Sequence, residues 1–342
     1  GPIKCWGVGQ YGRLGNASSY NQSTPIFVSN ISIATSVSAL GQATCAIISG
    51  GSIKCWGYGF YGAIGNGSYA DQMTPVSVSS INNATSLGGG YNHVCALISG
   101  GSIKCWGKAS YGQMGNGSNA NDREFTPVSV SNISTATAVS GGERFNCALL
   151  SDGSVSCWGY GVFGQLGNGS NSSSNTPVSV SNLNSVTKIS SGYEHTCALI
   201  SDGTIKCWGK GNYGRLGNGS ASNQNTPVTV SGISNATKIA SGQTHTCALL
   251  SNSTVKCWGN GDYGKLGNGS ISNQNTPTIV SGINNATSIT ASKHHTCALL
   301  SDDTVKCWGS AGSGGAGILG SASTTETQNG VPISSTPILI IW

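Results

Sequence analysis

The residues best able to do chemistry in this 342-residue chain are its 13 cysteines, and their spacing decides between metal, redox and structural roles. Twelve fall into pairs at one constant separation: Cys45/Cys55, Cys95/Cys105, Cys147/Cys157, Cys197/Cys207, Cys247/Cys257 and Cys297/Cys307. A zinc site needs C-x-x-C or Cys/His clusters converging on one ion, and here each pair stands alone in its stretch of chain. Lysines precede most of the second cysteines (Lys54, Lys104, Lys206, Lys256, Lys306) and would lower a thiol pKa if exposed, but their recurrence points to a structural place. The pairs read as disulfides, which sets the chain in an oxidising compartment, extracellular or at a cell surface. Cys5 is left over, either unpaired or joined to another molecule.

The other motifs supply no catalytic constellation. Gly57-x-Gly59-x-x-Gly62 matches the dinucleotide fingerprint, yet the pattern recurs from Gly7, Gly159, Gly209 and Gly259 with no helix following, so it is turn chemistry. His93, His195, His245 and His295 each stand two residues before a paired cysteine. A partial metal ring is one reading of that register. The other is a framework side chain bonded to nearby backbone, favoured because Ala43 and Phe145 replace the His without other change. Asp152, Asp202 and Asp302 occupy equivalent turns of different repeats instead of one shared pocket. With no G-x-S-x-G elbow either, the chain reads as a non-enzyme without a cofactor or metal.

Two further sets could carry modification or recognition. Asn-x-Ser/Thr sequons at Asn16, Asn21, Asn30, Asn66, Asn83, Asn116, Asn132, Asn168, Asn171, Asn218, Asn235, Asn252, Asn268 and Asn285 are glycosylation candidates, although G-N-G-S is also good turn chemistry. The third repeat has a longer charged loop, Asn121, Asp122, Arg123, Glu124 and Phe125, and also Glu143-Arg144-Phe145 where other repeats carry polar residues or His. Charge gathered on one blade of a nearly neutral ring is a candidate contact site; a tolerated loop insertion is the competing reading.

Composition narrows the partners. Charged residues are only 8% of the chain, while 37% hydrophobic content is enough to form a core. The net charge of +5 is scattered, which leaves no nucleic-acid footprint. No apolar run is long enough for a membrane helix.

An internal repeat must position all of these residues. Cys-Trp-Gly begins at Cys5, Cys55, Cys105, Cys157, Cys207, Cys257 and Cys307, in units of about 50 residues with one two-residue insertion. A full unit reads C-W-G-x-G-x-Y-G-x-L-G-N-G-S, then T-P-V-x-V-S, then A-T-x-I-x-x-G-x-x-H-T-C-A-L-x-S-D-G. Short apolar runs between Gly, Asn, Ser and Pro clusters predict four strands per unit and no helix. Such units are propeller blades, and the expectation is an all-β, seven-bladed β-propeller forming one domain over residues 1–342. A three-residue loop Ser151-Asp152-Gly153, with its last residue left-handed, sets Leu149 opposite Val155, Ala148 opposite Ser156 and Cys147 opposite Cys157. That makes each cysteine pair cross-strand neighbours at a non-hydrogen-bonded site, close enough for a bridge.

The segment around Tyr213 to Gly219 and the segment from His195 to Gly209 together resemble the RCC1 (regulator of chromosome condensation) repeat, over essentially the whole chain. The resemblance implies a propeller scaffold that acts by protein contacts from its faces and loops, as an exchange factor, a ubiquitin-ligase module or a β-lactamase inhibitor. Paired cysteines, low charge and the lack of a basic tail set this sequence apart from the nuclear exchange factor. The shared residues are repeat framework, so no functional site is carried over.

The repeat arithmetic leaves the seventh blade incomplete. Gly1 to Cys5 aligns with Gly51 to Cys55, and Thr336-Pro337 aligns with Thr276-Pro277, with no A-T-x-I or H-T-C-A-L segment afterwards. The expectation is that residues from elsewhere, upstream in the gene or from another subunit, complete that blade and pair with Cys5. On these grounds the leading reading is an extracellular structural or adhesive module of a microbial surface, or a filament subunit joined by strand complementation. The alternative is a protein-binding propeller acting through one face or the third-repeat loop, which requires an exposed aromatic or charged cluster.

Overall fold

Blade 3 shows how one repeat folds, in the computed structural model, which describes residues 1–118, 122–310, 326–328 and 331–339. Its strands are Ala136–Gly141, Phe145–Leu150, Val155–Gly159 and Ser174–Ser179, antiparallel and in sequence order. The central hairpin has the register expected from its loop: Leu149 faces Val155, Ala148 faces Ser156 and Cys147 faces Cys157. Gly153 takes φ +79°, which only glycine adopts freely, and the Asp152 carboxylate accepts the Ser154 N–H at 2.9 Å.

The same sheet recurs over residues 34–77 (blade 1), 84–129 (blade 2), 186–229 (blade 4), 236–279 (blade 5) and 286–339 (blade 6, which carries a fifth strand, Glu326–Gln328). A further sheet has two strands only, Lys4–Gly7 and Gln22–Phe27. The described residues therefore form six whole blades and a two-stranded sheet, where the repeat count led to seven blades. The reason is an offset between repeat and sheet. Each blade takes its first two strands (A-T-x-I and H-T-C-A-L) from one Cys-Trp-Gly unit and its last two (K-C-W-G and T-P) from the next. Cys5 faces Ile26 as Cys55 faces Val76, so the two-stranded sheet is the second half of such a blade.

All six cysteine pairs are bridged within their own blades, with Cα atoms 4.0–4.1 Å apart. Both faces of the central strands are covered, which is why they do not alternate apolar and polar. Leu249 and Val255 of blade 5, for example, share a cluster with Ile283, Ala286, Leu300 and Trp308. Burying a leucine in this way contributes about 1.5–3 kcal/mol. In blade 6 the equivalent Leu299 is 37% exposed.

The chain divides into two compact units. Unit 1 (residues 1–162 and 171–179) holds the two-stranded sheet and blades 1 to 3; unit 2 (residues 163–170 and 180–342) holds blades 4 to 6.

Candidate functional site

In each central hairpin the segment after Cys-Trp-Gly and the segment before the His position emerge at the same end, because the two strands run antiparallel. The main chain ties them together: Lys108 N–H donates to the Asn92 carbonyl, Tyr160 to Arg144 and Lys210 to Glu194, each at 2.9 Å. Variable side chains are thus gathered at one end of every blade, while the repeated residues below them build the scaffold.

That scaffold has a constant lock. The buried indole N–H of Trp56, Trp106, Trp158, Trp208, Trp258 and Trp308 donates at 3.0 Å to the carbonyl of Arg13, Ala63, Gln113, Gln165, Arg215 and Lys265 respectively. Glycine follows two residues after each acceptor because the indole lies against it. At Gly217, φ +71°, a Cβ would stand 2.6 Å from the Trp258 Nε1.

The histidines join this lock, and not through backbone as the sequence suggested. His195 Nε2 lies 2.8 Å from Thr246 Oγ1, and that hydroxyl donates to the Arg215 carbonyl at 3.1 Å. Its one hydrogen is committed there, so the hydroxyl accepts from His195 and fixes the Nε2–H tautomer. His245 repeats the relay through Thr296 to Lys265, and His93 through Asn146 to Gln113. His295 instead has Nδ1 2.7 Å from Ser292 Oγ. Burial depresses the imidazole pKa to about 4 at His93 and well below the usual value at His195 and His245, so the rings are neutral. Among the described residues no three His, Cys, Asp or Glu side chains are grouped as metal ligands.

The variable side chains of unit 1 form a continuous aromatic and cationic band. Tyr11 meets Tyr58 at a tilt, with ring centroids 4.6 Å apart, and Phe60 meets Tyr61 edge-on at 5.1 Å. The Arg123 guanidinium lies 4.2 Å from the Phe60 ring and donates to the Phe60 carbonyl at 3.2 Å. Lys108 Nζ bridges Tyr61 at 5.0 Å and Tyr111 at 5.6 Å. Arg144, paired with Glu143 at 3.2 Å, covers Tyr111 at 4.9 Å, and Tyr111 meets Tyr160 at 5.3 Å. Phe60, within the band, is 42% exposed.

The sequence picked Arg123, Glu143 and Arg144, but assigned them with Asp122, Glu124 and Phe125 to one repeat's charge excess. The structure splits the set. Arg123 begins the outer strand of blade 2, Glu143 and Arg144 lie in the loop of blade 3, and the tyrosines between them connect the two. Asp122 is exposed and its carbonyl accepts the Ala109 N–H at 2.8 Å, while Phe125 supports the neighbouring turn by accepting from Gly67 at 3.0 Å. Asn121 lies outside the described residues. The tyrosines were missed because their in-register recurrence reads as framework; the alternation of Tyr58, Lys108, Tyr160 and Lys210 just after Cys-Trp-Gly was the available signal.

The sequons are mostly turn residues. Asn66, Asn116, Asn168, Asn218 and Asn268 accept the N–H of the serine two residues on at 3.1–3.2 Å. Asn252 does the same for Thr254, and Asn83 and Asn235 donate to Ser99 and Ser251. Cys5 is half-buried and bonded to no other described cysteine, and burial pushes its thiol up to about 11.

The family model for the regulator of chromosome condensation (RCC1) repeat matches residues 51–97, 101–149, 152–199, 202–249 and 254–299, and a second RCC1-repeat model matches four segments between 136 and 314. No curated protein matches the chain in sequence. Among solved structures, yeast RCC1 (Prp20) bound to Kap60 is 21% identical with a TM-score of 0.85, covering 99% of this chain and 83% of that one. Saccharomyces cerevisiae Prp20p, described with its binding properties to Gsp1p and histones, is 21% identical with a TM-score of 0.86, over 99% and 86% of the two chains. Human WBSCR16 is 20% identical with a TM-score of 0.86, over 100% and 95%. These three share the propeller fold.

Proposed function

As the chain belongs to the RCC1 repeat family, we propose that it is a protein-binding propeller module that works in an oxidising setting, extracellular or at a cell surface. The observation that carries this reading is the band from Tyr11 to Tyr160 in unit 1. Tyrosine and arginine are enriched among the residues that dominate interface energetics, and rings already stacked against cations lose little freedom on binding. A purely structural or adhesive scaffold needs no such alignment at one end of its blades, so the band favours the binding reading over that of a filament subunit. Six within-blade disulfides support the oxidising setting. The structural relatives described with Kap60, Gsp1p and histones are consistent with action by protein contact. Glycans on the exposed sequons, Asn171 among them, fit the same setting.

A photo-crosslinking amino acid at position 61, exposed to the secreted and surface proteins of the source organism, tests the proposal. The expected result is a discrete adduct whose binding falls at least tenfold in Arg123→Ala and Arg144→Ala with the melting temperature unchanged. Undiminished affinity of the captured protein for both variants would overturn it.

A further inference from the structure

Two cations in unit 2 are buried at a position that holds a half-buried Arg13 in the first repeat and neutral residues in the three that follow. The residue after G-x-Y-G or its equivalent is Ala63, Gln113 and Gln165 in those three, and the two glutamines are held locally, accepting the N–H of Tyr111 at 2.7 Å and of Phe163 at 2.8 Å. In the next two repeats it is Arg215, 2% exposed, and Lys265, 3% exposed. Both side chains run to one loop: Arg215 Nη1 reaches the Gln243 carbonyl at 3.5 Å, and Lys265 Nζ donates to Thr244 Oγ1 at 3.1 Å. Arg215 Nε is fixed by the Asn212 carbonyl at 3.0 Å.

Their counter-charge is insufficient. Glu194 binds Lys210 at 2.8 Å and stands 3.8 Å from Arg215. Among the described residues Lys265 has no carboxylate in ion-pair contact. Beside them, His294 has a buried Nδ1 with no hydrogen-bond partner, and its ring meets Tyr263 at 5.5 Å. Burial lowers the Lys265 ammonium to about 8, opposed by the pull of Asp262 and aided to a smaller degree by the neighbouring Arg215 guanidinium.

Burying cations without matching anions is costly, and a guanidinium fork beside an ammonium matches two oxygens held on one centre. We infer that Arg215 and Lys265 form a receptor for a two-oxygen oxyanion, a carboxylate or a phosphate, at the Gln243–Thr244 loop. The site is independent of the aromatic band and of the function proposed for it.

The chain supplies its own control, since glutamine already occupies the equivalent position at Gln113 and Gln165. Thermal unfolding is followed at constant ionic strength while chloride is exchanged for inorganic phosphate and, in parallel, while N-acetylated hexaglutamate is titrated. The expected result is a saturable rise in Tm for the wild type with at least one probe and none for Arg215→Gln/Lys265→Gln, which should fold at least as stably without anion. A response to phosphate alone assigns a free oxyanion; a response to the peptide alone assigns a carboxylate side chain. Equal responses in wild type and variant, or no response to either probe, would overturn the inference. Should the double variant fold poorly, Lys265→Gln alone provides the same comparison.

Discussion

Trp258 and Thr246 donate to the same atom, the main-chain oxygen of Arg215, at 3.0 and 3.1 Å. One carbonyl thereby uses both lone pairs to hold the two strands of blade 5's central hairpin against a loop earlier in the chain. Because the indole is also fully buried, Trp258→Ala should cost about 3–5 kcal/mol. Trp258→Phe should cost far less, roughly 1–2 kcal/mol, since the carbonyl keeps Thr246 as a partner. Urea unfolding of the two variants checks the ranking; equal losses would show that the lost indole hydrogen bond, and not the buried ring, sets the cost.

Gly217 should tolerate no side chain. Both its φ of +71° and the 2.6 Å approach of Trp258 Nε1 oppose a Cβ, so Gly217→Ala should lose more than the roughly 1 kcal/mol of an ordinary left-handed glycine replacement. The loss should shrink in a Trp258→Phe background, where a smaller ring leaves room, and a double-mutant cycle measures this.

The buried histidines make stability depend on acid. His93 would protonate near 6.5 when unfolded but only near 4 when folded, because burial excludes the cation. Its folded-state pKa is depressed, so the full stability is present above about 6.5 and is lost as pH falls from there to about 4. The loss from this one group is up to about 3 kcal/mol. Unfolding midpoints between pH 7 and pH 4 should fall less for His93→Gln than for the wild type. Parallel curves would reject the assignment.

Cys5 should be a slow thiol. With its pKa raised to about 11 and its side chain half-buried, little thiolate exists at neutral pH. Its reaction with a disulfide reagent should accelerate steadily from pH 7 to pH 10, while the twelve paired cysteines stay unreactive until reduced. Non-reducing peptide mapping should recover the six within-blade bridges, each worth about 2 kcal/mol for its short loop; a cross-blade bridge would contradict the fold.

The sequence by itself determined the blade. The left-handed Gly153 and a loop of fixed length leave one register for the hairpin, and that register places Cys147 opposite Cys157. These are local consequences of turn geometry and strand alternation, so they can be counted along the chain. The sequence also isolated Arg123 and Arg144 by their charge. It did not show that Tyr61, Lys108 and Tyr111 link them, that His195 reaches Thr246 instead of backbone, or that Arg215 and Lys265 end at one loop. Those pairs are separated by tens of residues, and they meet only because neighbouring blades are packed at a fixed offset. A recurring tyrosine looks identical in sequence whether its ring supports the turn or faces a cation from the next blade, and only tertiary packing distinguishes the two.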